Sequence, residues 1–380
     1  LMRIGIITGE YPPMQGGIGD YTHLLAQYLT GHGAYVTIIT DVRARSNHSP
    51  NTHPVITRWN GRAWLQLRAW AQAQKVDIIS LQYQTAAFAM SPWIHFLPEV
   101  LRPLHLVTTF HDLRFPYLLP KAGKLRTWIV RHLARHSSAA IATNDEDAEQ
   151  LTDIRLRTLI PIGSNIRAVS LTPADIQAER MHWAQNNEFL IGYFGLLNRS
   201  KGVHTLVAAL ARMRQQPFPA RLLIIGGTSG ASDPTNTEYE RELKQQVADA
   251  GLDGAVTYTG YMDDANVARA LSACDVIALP YADGASLRRG SLMAALAQRC
   301  AIVTTNPQRM NDQFIDGKNM LLVPPDSPAA LADAMLRLLD DVALRNTIQS
   351  GARDVSRQFS WEHIAQMHLN FFQRVIETAS

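Results

Sequence analysis

DGASLRRGSLMAALAQRCAIVTTN, residues 283–306, reads as a loop, a helix and a strand in succession. Gly284 and Gly290 bracket the loop, which carries Ser286, Arg288 and Arg289 between them. Ser291 is placed to cap a short helix over 292–298, a run of good helix formers. Residues 301–305, AIVTT, are apolar and β-branched, the pattern of a buried parallel strand. A helix that opens just after a glycine shows free backbone N–H groups and the positive end of its dipole. Two arginines beside that end make a site for a dianion, most simply a diphosphate. The competing reading is an ordinary loop whose arginines face solvent.

The rest of the chain offers a frame for such a site. At 380 residues it is too long for one core, and two domains of about 170–190 residues fit the usual domain size. The hydrophobic share of 46% is that of a globular protein, and a net charge of +3 is far from what a nucleic-acid binder needs. Two cysteines, Cys274 and Cys300, cannot make a disulfide framework, so a reducing cytosol is the simplest setting. No run approaches the ~20 apolar residues of a spanning helix, and the first residues run into a strand, not a signal peptide.

Strand and helix patterns alternate along both halves. Residues 3–8 (RIGIIT) read as a strand, 9–19 as a loop with Gly16 and Gly17, 20–29 as a helix and 35–40 (YVTIIT) as a second strand. This βαβ pattern predicts a parallel sheet, with the glycines at the carboxyl end of its first strand, where ligands bind. Gly17, Gly19 and Asp41 give part of a nicotinamide-type fingerprint, but Thr22 stands at the third glycine and the loop is too long. The polar stretch 43–58 reads as a surface loop. Strands follow at 76–82 and 105–110, and the second stops at His111-Asp112. His111 could meet a sugar hydroxyl or the reacting carbon, or simply cap the strand end. Residues 120–136 form a basic amphipathic helix, which suits an anionic membrane surface as well as a solvated face. Asp145 and Asp147 invite a D-x-D metal reading, but both fall in the first turn of a helix capped by Asn144. No other His, Cys, Asp or Glu group shows convincing ligand spacing, so no metal and no cofactor is expected. The second half repeats the alternation with strands at 189–194, 221–225, 256–259, 275–279 and 301–305. Its loop 195–202 sets Arg199 and Lys201 beside a helix start, a second candidate phosphate site. A last amphipathic helix covers 361–378, and His368 on its apolar stripe reads as structural.

Taken jointly, these residues resemble the retaining glycosyltransferases of the GT-B fold, family 4. The resemblance rests on Gly16-Gly17, Lys201-Gly202, the loop–helix–strand at 283–305, V-x-Y-x-G-Y-x-D-D at 256–264, C-D-V-I-A-L-P at 274–280 and S-W-E at 360–362. It implies an α/β fold with two Rossmann-like domains facing a cleft and a final helix crossing back to the first domain. The implied boundaries are 1–168 for the acceptor domain, 169–359 for the donor domain and 360–380 for the helix. It further implies a metal-independent enzyme that keeps the anomeric configuration. The donor would be a nucleotide diphosphate sugar, a UDP-sugar as first choice, and the acceptor a glycan or a lipid-linked molecule, as in polysaccharide biosynthesis. The setting would be the cytoplasm, with peripheral membrane contact through 120–136. By position, His111 matches the cleft histidine near the transferred sugar and Lys201 the lysine that neutralises the diphosphate. Gly290 and Ser291 match the helix start that binds it, and Gly16 and Gly17 the loop that approaches the donor. The sequence departs from the family where an arginine is usual, at Leu196, and at two glutamate positions, Ser286 and Ala294. Arg288 or Arg289, with Arg199, is expected to replace the missing arginine. Alternatives are an inactive relative that binds sugars, nucleotides or protein partners, a sugar-nucleotide epimerase, and a two-domain dehydrogenase.

Overall fold

The computed structural model describes residues 1–14, 16–45, 51–113, 123–185, 187–215, 219–226, 234–309 and 312–379, without the side chains of 123–126, 234–236 and 379. Residues 46–50 of the expected surface loop, residues 120–122 of the expected basic helix and Gly227 therefore lie outside the described residues. Chain contacts divide the protein into two units. One comprises Leu1–Gly163 with Trp361–Ser380, the other Ser164–Ser360.

The first unit is built on a seven-stranded sheet. In chain order its strands are β1 (Arg3–Thr8), β2 (Tyr35–Asp41), β3 (Thr52–Ile56), β4 (Ile78–Tyr83), β5 (His105–Phe110), β6 (Ala139–Ala142) and β7 (Arg157–Leu159). Their order across the sheet is β3-β2-β1-β4-β5-β6-β7, and every pairing is parallel. β3 corrects the surface-loop expectation. Its polar residues conceal it, yet THPVI pairs with β2 at the sheet edge, where a proline is tolerated. The strand order reverses between β1 and β4, so the carboxyl ends of those two strands splay a crevice. The terminal helix Trp361–Ala379 packs on the helix Gly17–Gly31 and shares its apolar core, with Trp361, Ile364, Phe371, Phe372 and Val375 all buried.

The second unit holds β8 (Phe189–Phe194), β9 (Ala220–Ile225), β10 (Val256–Tyr258), β11 (Val276–Leu279), β12 (Ile302–Thr305) and β13 (Leu321–Val323). These run β10-β9-β8-β11-β12-β13, again all parallel, and the order reverses between β8 and β11. β11 and β12 are buried along their whole length, which is why their sequences, VIAL and IVTT, are nearly unbroken apolar runs. No helix among the described residues is long and apolar enough to cross a membrane.

Two fully buried histidines fix a pH response in the first unit. His95 donates from Nδ1 to the Pro92 carbonyl (3.0 Å), and its Nε2 lies 2.8 Å from the Tyr83 hydroxyl. His368 donates from Nδ1 to the Ile364 carbonyl (2.8 Å), with its Nε2 3.4 Å from the Tyr21 hydroxyl. Each ring is thus a neutral acceptor for a tyrosine. Burial pushes both down to about 4. The unfolded chain, with histidines near 6.5, takes up protons first as pH falls. The stability these rings contribute is full above pH ~6.5 and is lost as pH falls towards 4, on the order of 3 kcal/mol for each. Urea titrations at pH 7.5 and 4.5 are expected to show the wild type losing far more stability than a His95→Phe variant; equal losses would contradict the burial of a neutral ring.

Candidate functional site

The loops that follow β8 and β11 converge at the second unit's switch point. Gly202 adopts φ +69°, and a Cβ there would lie 1.8 Å from the Pro280 carbonyl oxygen. The two backbones therefore touch where only glycine fits. A further bond ties them, from the Ala282 N–H to the Ser200 carbonyl (3.0 Å).

This approach brings Lys201 from the first loop to Tyr281, a fully buried ring just after β11 that Arg289 and Ser291 of the second loop also meet. Lys201 Nζ lies 5.4 Å and Arg289 Cζ 4.8 Å from the ring centroid, both in cation–π range. The Tyr281 hydroxyl shares a 2.7 Å hydrogen bond with Ser291 Oγ. Burial raises the pKa of Tyr281, so the hydroxyl keeps its proton. Burial first, and then the neighbouring Arg289, push Lys201 down to about 8, while Asp283 partly opposes them. Asp283 also pairs with the Arg289 guanidinium. Two like charges are thus held together with one partly exposed carboxylate, Asp283, paired to Arg289, a set that an incoming anion would stabilise.

The helix Gly290–Ala297 starts beside these cations. Its N-cap is Arg289, not Ser291, and no side chain caps it. Ser291 does not cap the helix because its hydroxyl turns to Tyr281 instead of to its own helix end. The Leu292 N–H also meets the Tyr281 hydroxyl, while the N–H groups of Gly290 and Ser291 have no acceptor within the helix. Ser286 lies in the turn just before, accepting the Arg289 N–H on its carbonyl (3.0 Å), and the Arg288 N–H lies 3.4 Å from its hydroxyl. Arg199 turns elsewhere, to an ion pair with Glu242 and to the face of Tyr239. Leu196 is half exposed, and Ala294 is fully buried in the core. No acidic side chain reaches out from position 294.

In the first unit, the other predicted residues gather at the carboxyl ends of β1, β4 and β5. His111 follows β5; its Nε2 lies 2.9 Å from Gln82 Oε1, and Gln82 in turn donates to Ser80 Oγ (2.8 Å). That chain assigns the His111 proton to Nε2 and leaves Nδ1 an acceptor. The Tyr21 ring stands edge-on to His111 at 4.6 Å, and Tyr21 is held from behind by His368 of the terminal helix. Burial, and then nearby His368, push His111 down to about 3, so it is neutral at any physiological pH. Gly16 precedes the helix Gly17–Gly31, and a Cβ on it would lie 2.0 Å from a Glu10 carboxylate oxygen. Gly17 meets open space. Burial, with Asp20 nearby, raises the pKa of Glu10. An acid at this helix start suits hydroxyl donors better than a phosphate. Asp145 and Asp147 do not form a metal site: Asn144 Oδ1 accepts the Asp147 N–H at 2.9 Å, and the acids occupy the first turn of the helix Asp145–Gln150. Tyr281, Gln82 and Glu10 were not legible as site residues, because only the folded loops bring them to the others.

Two family profiles match the chain, "Glycosyltransferase Family 4" over residues 15–165 and "Glycosyl transferases group 1" over residues 188–341. The chain belongs to glycosyltransferase family 4. The phosphatidyl-myo-inositol mannosyltransferase of Mycobacterium leprae is 24% identical over all of this chain and 98% of its own. The D-inositol 3-phosphate glycosyltransferase of Jonesia denitrificans is 27% identical over 65% of this chain. The chain spans only 59, 55 and 42% of the length of three curated relatives of that description. Among solved structures, Anabaena HepE in complex with UDP superposes with a TM-score of 0.76 at 20% identity, over 98% of this chain and 100% of that one. The fold of this family 4 chain is accordingly the two-domain α/β GT-B fold.

Because Gly202 is pinned against Pro280, Gly202→Ala should lower the melting temperature and cost at least about 2 kcal/mol through strain at positive φ. Gly254→Ala, where an added Cβ meets nothing within 4 Å, is the control and should change stability little. Equal melting temperatures for the two variants would show that the loops do not depend on this contact.

Proposed function

We propose that the protein is a retaining, metal-independent glycosyltransferase that moves a sugar from a nucleotide diphosphate sugar to a hydroxyl acceptor. The observation that carries the reading is the pair of cations, Lys201 and Arg289, set on Tyr281 beside the Gly290–Ala297 helix start. In the reaction the bond from the anomeric carbon to the donor phosphate breaks, and its electrons stay on the phosphate oxygen. The acceptor oxygen bonds that carbon from the same face, and its proton passes to the leaving phosphate. Negative charge therefore grows on the diphosphate. Preorganised cations and amides aimed there favour the transition state, each donor typically worth about 3–4 kcal/mol. Lys201, Arg289 and the amides supply the charge that a divalent ion supplies in other enzymes, which is the basis for metal independence. Arg289 takes the role of the arginine missing at 196.

The first unit would receive the acceptor and the transferred sugar. Neutral His111, with Nδ1 as acceptor, and Glu10 suit sugar or acceptor hydroxyls. Inositol-containing acceptors, free or lipid-linked, are the first to test, because the curated relatives are described as acting on them. Uridine is the first base to test, because HepE was solved with UDP. Peripheral membrane contact through 120–136 is supported by the half-exposed Trp128 and the exposed Arg131 on that helix; flotation with anionic vesicles at low salt tests it. A second reading, an inactive sugar-nucleotide binder, is favoured by buried Ala294, which leaves the ribose without its usual acid.

Transfer assays with UDP-, GDP- and ADP-sugars and inositol acceptors separate the readings: turnover supports the transferase, and binding without turnover supports the binder. Lys201 gives a sharper test. Its charge is present below pH ~8 and lost above, so UDP-glucose should bind about tenfold more weakly at pH 9 than at pH 7. Lys201→Arg should flatten that dependence, because arginine stays charged. Identical pH profiles for wild type and Lys201→Arg would remove Lys201 from the phosphate site. Arg289→Ala is expected to weaken UDP binding at least tenfold, and near wild-type affinity would end the substitution of Arg289 for the arginine missing at 196.

A further inference from the structure

The helix Gly123–His136 carries a second cluster unrelated to the diphosphate site. His132 and His136 are four residues apart, so they share one helix face. Glu99, on the short helix Leu97–Val100, meets both. Its Oε1 lies 2.9 Å from His132 Nε2 and 3.1 Å from His136 Nδ1, and those two nitrogens are themselves 3.1 Å apart. The spacing escapes a sequence reading because the third member sits in another element, before β5.

We propose that Glu99, His132 and His136 form a divalent metal site of the zinc class, with a fourth position open to water. Three ligand atoms about 3 Å apart can all lie about 2.0–2.1 Å from one ion, the Zn–N and Zn–O distances. Two imidazoles and a carboxylate are the donor set that zinc takes, and too nitrogen-rich for magnesium or calcium. The decisive feature is that one oxygen and two ring nitrogens from two elements lie within about 3 Å of one another. With each imidazole proton on its far nitrogen, both lone pairs and the carboxylate oxygen can turn to one ion. The surroundings fit a built site. His132 is mostly buried, with 16% side-chain exposure, and the rings of Phe96 and Trp128 lie 5.1 and 5.5 Å from its own. Apolar walls on one side of the ligands lower the local dielectric and strengthen coordination.

The ion would act as a clip. It would tie the end of the Gly123–His136 helix to the segment that leads into β5, and so close the intervening chain, from which β5 delivers His111. Closing that loop stabilises the native chain by the free energy of metal binding. The site is a stability element of the first unit and takes no part in the sugar-transfer step.

The test uses the full chain without a polyhistidine tag, stripped of metal with a chelator and titrated with Zn2+ by calorimetry and thermal shift. One ion per chain is expected, with a rise in melting temperature. Glu99→Gln and His136→Gln, both at partly exposed side chains, should each weaken binding at least about tenfold and abolish the thermal shift. Co2+ should quench Trp128, seen as a loss of quenching in Trp128→Phe, which locates the ion beside His132. Absence of binding to the wild type, or binding that survives in both variants, overturns the proposal. Because the readout is metal binding and not transfer, this result stands apart from the fate of the transferase reading.

Discussion

One backbone contact underlies the candidate donor site: Gly202 against the Pro280 carbonyl, at the point where the second sheet reverses its strand order. The reversal separates the carboxyl ends of β8 and β11, and the glycine lets the loops that follow them close again. Everything with chemistry follows from that closure. It brings Lys201 to the ring of Tyr281, and Tyr281 in turn grips Ser291 and receives the Leu292 N–H. The helix start is thereby fixed in orientation relative to the lysine, and Arg289, at its cap, completes the pair of cations. The price is the burial of Lys201 and then a like-charge contact with Arg289, which together lower its pKa and are eased only in part by Asp283.

The first unit uses a similar logic with opposite polarity. Its switch point lies between β1 and β4, and the groups near it are an acid, Glu10, and a neutral imidazole, His111. His111 is oriented by Gln82 on one side and by the Tyr21 ring on the other. Tyr21 is held by His368, so the last helix of the chain reaches the candidate site through a tyrosine. His368 contacts no expected ligand, but it sets the ring that faces His111. In the proposed reaction the cations of the second unit would meet the diphosphate, and Glu10 and His111 of the first unit would meet hydroxyls.

The parallel sheets and most of their strands were legible because buried strands leave unbroken apolar runs, as in RIGIIT and IVTT. The edge strand Thr52–Ile56 was not, since half of an edge strand faces solvent and its sequence reads as loop. The helix at 290 was legible from its helix formers and its glycine, but its cap was not, because Ser291 had a stronger partner ten residues upstream. The cationic residues of the candidate donor site could be named from local context. Tyr281, which organises them, could not, as nothing in its own neighbourhood marks it. The same holds for Glu99: an i,i+4 histidine pair is common, and only the fold supplies the third ligand atom.

The most direct measurement is a crystal structure of the protein with a bound nucleotide diphosphate sugar. The diphosphate is predicted to accept hydrogen bonds from the Gly290 and Ser291 amides and to lie against Lys201 and Arg289. A diphosphate bound beyond hydrogen-bond reach of all four groups would contradict the assignment of this loop pair as the donor site.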